Sequence, residues 1–220
     1  MPRPALHDWD LQPAEARALQ GELAARVVRR DRLGGIRRVA GVDVAFADRG
    51  ATTCAAVVVM SWPGMEVVDE ARAQRATSFP YVPGLLSFRE LPAVLAAFEQ
   101  LRARPDLLLC DGQGIAHPRR FGIACHLGVW LDLPAIGVGK SRLVGTFTEP
   151  GRARGERSPL MDGDELLGAV LRTRAGVKPL FVSPGHRVSI DTAVHWVLEC
   201  APRFRLPEPI RAADRLAAAG

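Results

Sequence analysis

The spacing of apolar residues changes along the chain, and each change predicts a different element. From Pro13 to residue 32, Ala16, Leu19, Leu23 and Val27 recur three or four apart with charged residues between them, the pattern of an amphipathic helix lying on a sheet. The period then shortens. Residues 36–47 (IRRVAGVDVAFA), 52–62 (TTCAAVVVMSW) and 65–73 (MEVVDEARA) are rich in β-branched residues and separated by DRGA and PG turn signals, which predicts an antiparallel meander of three strands. After a proline-rich stretch, helical patterns at 91–101 and about 119–131 alternate with short, wholly apolar strands at 105–112 and 133–139. Two more strands, 165–174 and 178–185, lead into a helix over 189–200 with Ser189 as its N-cap, and Pro209 is placed to open a last helix. Residues 148–164 are polar and rich in Gly and Pro, and read as a surface loop. A meander feeding βαβ units predicts the α/β class: one mixed sheet flanked by helices, in a single domain spanning 1–220.

Composition narrows the class more than the function. The 220 residues, 48% of them hydrophobic, suffice for one sizeable core. Lys and Arg outnumber Asp and Glu by 29 to 24, a mild basic excess that suits a polyanionic partner. Cys54, Cys110, Cys125 and Cys200 have no paired spacing, so reduced, buried thiols are expected. Neither a signal peptide nor eighteen consecutive apolar residues occurs, which predicts a cytoplasmic protein with no membrane association.

The candidate chemistry is acidic. Asp43 interrupts an apolar strand, where an unpaired carboxylate is costly, so it requires a cation nearby. Asp111 ends the strand LLLCD at the sheet edge where open α/β folds place ligands. Taken singly, Asp43 fits an arginine partner and Asp111 a turn cap; together on two strands they fit a hard divalent cation such as Mg²⁺. Glu90 has two readings, as the last residue of an S-x-x-E capping box begun by Ser87 or as a site carboxylate, and Pro92 favours a helix beginning nearer Leu91. DGQGIAHPRRFG (111–122) offers close glycines and then His117, Arg119 and Arg120 to a nucleic acid. GVGKS (137–141) suggests a phosphate loop, yet Pro134 stands where the Walker pattern needs glycine, which leaves Lys140 as a phosphate clamp or a solvated lysine. On the last helix Asp214 shares a stripe with Ile210, Ala213 and Ala217, as a rim charge or a ligand.

In order and spacing, the segments VAGVDVAF, PYVPGLLSFRE, LLLCDGQGIAHPRRFGIACHLGV, AIGVGKSRLVG, PLFVSPGHRVS and LPEPIRAADRL resemble the endonuclease V family of deoxyinosine-specific repair nucleases. The resemblance implies a ribonuclease H-like fold and a Mg²⁺-dependent cut, with Mn²⁺ able to substitute, at the second phosphodiester bond 3′ to hypoxanthine. The products would carry 3′-hydroxyl and 5′-phosphate ends. It implies Asp43 and Asp111 as primary metal ligands, Glu90 and Asp214 as ligands directly or through water, and Lys140 and His117 at the scissile phosphate. Pro80, Tyr81, Val82 and Pro83 would form a wedge, with valine where the family often has isoleucine. Gly84, Leu86, Gly112, Gly114, Gly122 and Leu143 would wall the pocket for an extruded base. The implied partner is DNA containing deoxyinosine or other deaminated bases, bound by a monomer, with inosine RNA as the alternative substrate. A non-catalytic nucleic-acid-binding module and an ATPase are the rival readings.

Overall fold

The computed structural model describes residues 5–219. Its centre is one eight-stranded sheet. The strands are β1 (Arg38–Ala47), β2 (Thr52–Ser61), β3 (Val67–Ala76), β4 (Leu107–Asp111), β5 (Ala135–Gly139), β6 (Arg157–Asp162), β7 (Glu165–Leu171) and β8 (Leu180–His186), in the order β3-β2-β1-β4-β5-β8-β7-β6. The meander of β1, β2 and β3 is antiparallel, as its turn signals predict, while β4 and β5 run parallel to β1. The far side of the sheet returns to antiparallel pairing through β8, β7 and β6.

The helices are α1 (Pro13–Ala24), α2 (Leu86–Phe98), α3 (Ile123–Leu131), α4 (Ile190–Glu199) and α5 (Glu208–Ala218). α2 and α3 cover one face of the sheet, where Leu91, Val94, Ala124 and Leu127 meet Val57, Leu108 and Ala135. On the other, α4 buries Ala193, Val194 and Val197 against Leu107, Ile136 and Val182, and α5 buries Ala213 and Ala217 against Ala56 and Val58. Burial of each large apolar side chain contributes about 1.5–3 kcal/mol. All four cysteines are free and buried, consistent with their apolar neighbours.

Three boundaries differ from the sequence expectation. α1 ends at Ala24 rather than near 32. The presumed loop 148–164 contains β6, whose Ser158 and Leu160 point inward, and Gly163 at φ 58° turns the chain back into β7. α2 starts at Leu86, so neither the capping box nor a start at Leu91 holds: Leu85 is the N-cap, Ser87 lies inside the helix, and Pro92 is interior. Forming that first turn buries Leu85, Phe88 and Leu91 together, which outweighs the roughly 3 kcal/mol that an interior proline costs. Ser87 Oγ, freed from capping, meets His126 Nδ1 at 3.0 Å.

Candidate active site

Val42 of β1 pairs with Cys110 of β4, so Asp43 and Asp111 are the next residues on two adjacent parallel strands and project from the same face. β5 lies beside β4 and ends at Gly139, which puts Lys140 at the same edge, where its ammonium forms an ion pair with Asp111. Glu90 comes in from α2 and is 7% exposed. α5 brings Asp214 to the rim, exposed, while Ile210, Ala213 and Ala217 of the same stripe pack inward. The four acidic positions and the lysine named from the sequence thus converge on one sheet edge, held by five different elements.

Their electrostatics show negative charge in excess. Burial, the nearby Asp111 and the neighbouring Asp214 raise the Asp43 carboxyl to about 7, against the Val44 N–H that donates to it at 2.8 Å and against Lys140. Burial first, then Asp43 and Asp111, push Glu90 up to about 8. Burial opposes the Lys140 ammonium, but Asp111, Asp43 and Asp214 more than offset it and raise its pKa. One lysine does not neutralise this group. Strand-anchored carboxylate oxygens with too little positive charge are the donor set that Mg²⁺ or Mn²⁺ accepts. Among the described residues no three acidic, histidine or cysteine side chains close on one ion. Mg²⁺ is commonly bound through one or two carboxylates and keeps several waters, so Asp43 and Asp111 on adjacent strands fit it as a donor pair.

Beside the carboxylates opens a cavity of about 240 Å³. Tyr81, Val82, Pro83, Gly84 and Leu86 supply one stretch of its wall, and Gly112, His117, Gly122 and Leu143 line it with them. Of the residues expected to wall it, only Gly114 does not line it. Gly114 serves from beneath, because a Cβ at that position would collide with the Pro184 carbonyl. Tyr81 is 72% exposed at the mouth, between prolines that restrict the backbone on both sides.

Gly84, in the left-handed region at φ 78°, anchors this wall. Its carbonyl accepts from three side chains: Gln20 Nε2 at 3.0 Å, His117 Nε2 at 3.0 Å and Arg119 Nη2 at 2.8 Å. His117 is thus buried and braces this carbonyl. The Arg119 N–H donates to its Nδ1, which leaves the proton on Nε2, and burial with Arg119 and Arg120 nearby lowers its pKa to about 4, so the ring is neutral. Gln20 escaped the sequence reading. Its amide also donates to the Phe121 carbonyl and accepts from Arg119 Nε, tying α1 to the cavity lining. The signal was present: Gln20 is a glutamine on the buried stripe of α1 that carries Ala16 and Leu23.

Residues 21–215 match the family described as Endonuclease V. The chain belongs to the endonuclease V family. An endonuclease V from Alkalilimnicola ehrlichii is 60% identical over 98% of this chain and 95% of its own. The crystal structure of the Streptomyces avermitilis endonuclease V superposes with a TM-score of 0.90 at 49% identity, covering 95% of this chain and 92% of that one. The Ciona intestinalis endonuclease V, solved with a 23mer DNA containing an inosine followed by a ribo-adenosine, gives 0.83 at 31% identity over 94% and 96%. These neighbours share the mixed sheet and the helices on its two faces, so the ribonuclease H-like fold is that of the family. Membership also carries the coarser activity, that of a nuclease.

Proposed function

We propose that this chain is a metal-dependent DNA repair endonuclease that holds an extruded hypoxanthine in the cavity behind Tyr81 and cuts the second phosphodiester bond 3′ to it. The observation that supports this best is the adjacency of a wedge-guarded cavity to a carboxylate group whose Asp43 and Glu90 are driven toward their neutral forms. The Ciona relative bound to inosine-containing DNA supports the choice of substrate.

Asp43 and Asp111 would hold a Mg²⁺ or Mn²⁺ ion, with Glu90 and Asp214 reaching it directly or through water. Bound there, the ion would polarise a phosphate oxygen and make a water nucleophilic near neutral pH. Lys140 leaves its pairing with Asp111 to meet the phosphate. Tyr81 fills the space left by the extruded base, which offsets part of the few kcal/mol of unstacking, and its prolines lower the entropy lost on insertion. Gly84, fixed by its three donors, keeps wedge and cavity in register. The 3′-oxygen departs with a proton from water, leaving 3′-hydroxyl and 5′-phosphate ends without a covalent enzyme intermediate.

The test is nicking of matched strands carrying deoxyinosine, inosine in RNA, or neither, with Mg²⁺, Mn²⁺ or EDTA. Cutting of the deoxyinosine strand with either metal and silence in EDTA is the expected result. Binding without metal-dependent nicking would instead support a non-catalytic binding module, and preferential cutting of the RNA strand would reassign the substrate.

A further inference from the structure

Only three Phe, Tyr or Trp side chains among the described residues are exposed, Phe46 at 39%, Tyr81 at 72% and Phe204 at 40%. Each has a tie in sequence or contact to the residues of the site. Phe46 lies three residues past Asp43 on β1 and faces Arg89, the neighbour of Glu90. Tyr81 guards the cavity. Phe204 belongs to none of the hydrophobic clusters and carries the Arg211 guanidinium 3.5 Å from its ring centroid.

Two links fix Phe204 relative to the cutting centre. Its neighbour Arg205 donates to the backbone carbonyl of Lys140 at 2.9 Å and to that of Pro179 at 3.0 Å. Arg211 is one helical turn from Asp214 on α5, so both face the same way. Arg205 thus holds Phe204 at the Lys140 end of the carboxylate edge, where Arg211 lies over its ring and takes the Glu208 carboxylate at 2.9 Å, so the one acid beside the ring is already neutralised. An exposed ring backed by a guanidinium is the construction that stacks an unpaired base without reading its identity.

We propose that Phe204, backed by Arg211, is a stacking platform for the unpaired base just beyond the cut, the second nucleotide 3′ to the lesion. This rests on the endonuclease reading above. The platform captures the released side of the strand, while Tyr81 and the cavity hold the lesion side. It favours substrates whose downstream base is free to unstack, so its influence is greater on single strands than on duplexes, the reverse of the wedge.

The experiment measures kcat/KM for single-stranded and duplex deoxyinosine DNA in Mg²⁺, each with either a normal base or an abasic spacer at the second nucleotide 3′ to the lesion. For the native protein the spacer in single strands lowers kcat/KM about tenfold, mainly through KM, on the scale of base–aromatic stacking. In Phe204→Ala that spacer effect falls below about twofold and single-strand cleavage drops more than duplex cleavage, while Phe204→Trp restores the native pattern. Phe204→Leu keeps apolar bulk without a π face, so it should behave as the alanine variant even if alanine disturbs folding. A spacer effect equal in native and Phe204→Leu proteins, or absent from the native protein, would overturn the platform while leaving deoxyinosine cleavage intact. If the native protein nicks no deoxyinosine strand at all, the endonuclease reading fails and the platform with it.

Discussion

Replacing Glu90 with glutamine should make the metal-free protein more stable and the enzyme inactive. Glu90 sits 7% exposed beside Asp43 and Asp111, and burial with those two charges lifts its carboxyl from 4.5 to about 8. An acid whose folded-state pKa is raised stabilises the fold while it is protonated, and that contribution is lost as pH rises from its unfolded value toward about 8. At 1.36 kcal/mol per tenfold, the gap sets a ceiling of about 5 kcal/mol for the fully ionised group, of which about 2 kcal/mol is lost between pH 6 and 8. Glutamine keeps the size and cannot ionise. By pH 8 nearly all of that ceiling, about 4.5 kcal/mol, is lost, and for a domain of this length each kcal/mol moves Tm by about 2–4 °C, so Glu90→Gln in EDTA at pH 8 should melt about 9–18 °C above the native protein. At pH 5, close to the unfolded-state value, under about 1 kcal/mol separates them and the gap should shrink to about 2–3 °C. Thermal melts at the two pH values, with and without Mg²⁺, read this directly, and nicking of deoxyinosine DNA should fall by at least about a hundredfold. A variant less stable than native at pH 8, or equally displaced at both pH values, would refute the claim that the acidic group is held in electrostatic conflict.

Other substitutions probe the remaining parts. Asp111→Asn should retain deoxyinosine DNA binding in a gel-shift assay while nicking drops at least about a hundredfold; near-native cutting would remove Asp111 from the chemistry. Tyr81→Ala should weaken binding to a deoxyinosine duplex by about tenfold and to the single strand much less, and equal losses would argue against a wedge. Gln20→Leu strips a donor from the Gly84 carbonyl and leaves Arg119 Nε without its acceptor, so it should lower stability by about 1–3 kcal/mol in denaturant melts. Combined with Tyr81→Ala, it should add little further loss of duplex binding, because both act on the same wall; full additivity would separate Gln20 from the wedge.

Much of this site was legible in the sequence because its parts obey local rules. Asp43 announced itself as a charge inside an apolar strand, and Asp111 as the polar end of a buried one. Pro80 and Pro83 marked Tyr81 as a constrained aromatic. What stayed hidden depended on partners distant in sequence. The S-x-x-E pattern at Ser87 was a sound local signal, overridden because Leu85, Phe88 and Leu91 all gain burial when α2 begins early. β6 was missed because its strand is short and polar-edged, although the Asp162-Gly163 pair is a hairpin signal. His117 offered itself to a nucleic acid beside two arginines, and only the fold shows that it also braces the Gly84 carbonyl, 33 residues away in sequence.

The mechanism requires a cut at one defined phosphodiester and its dependence on the carboxylates. A duplex with a single deoxyinosine, end-labelled on the lesion strand and resolved beside a sequencing ladder, measures both at once. With Mg²⁺ one nick should appear, at the second phosphodiester 3′ to the lesion, ending in a 3′-hydroxyl that a polymerase extends; EDTA or Asp43→Asn should abolish it. A nick elsewhere, a blocked 3′ end, or cutting that persists in EDTA would contradict the account.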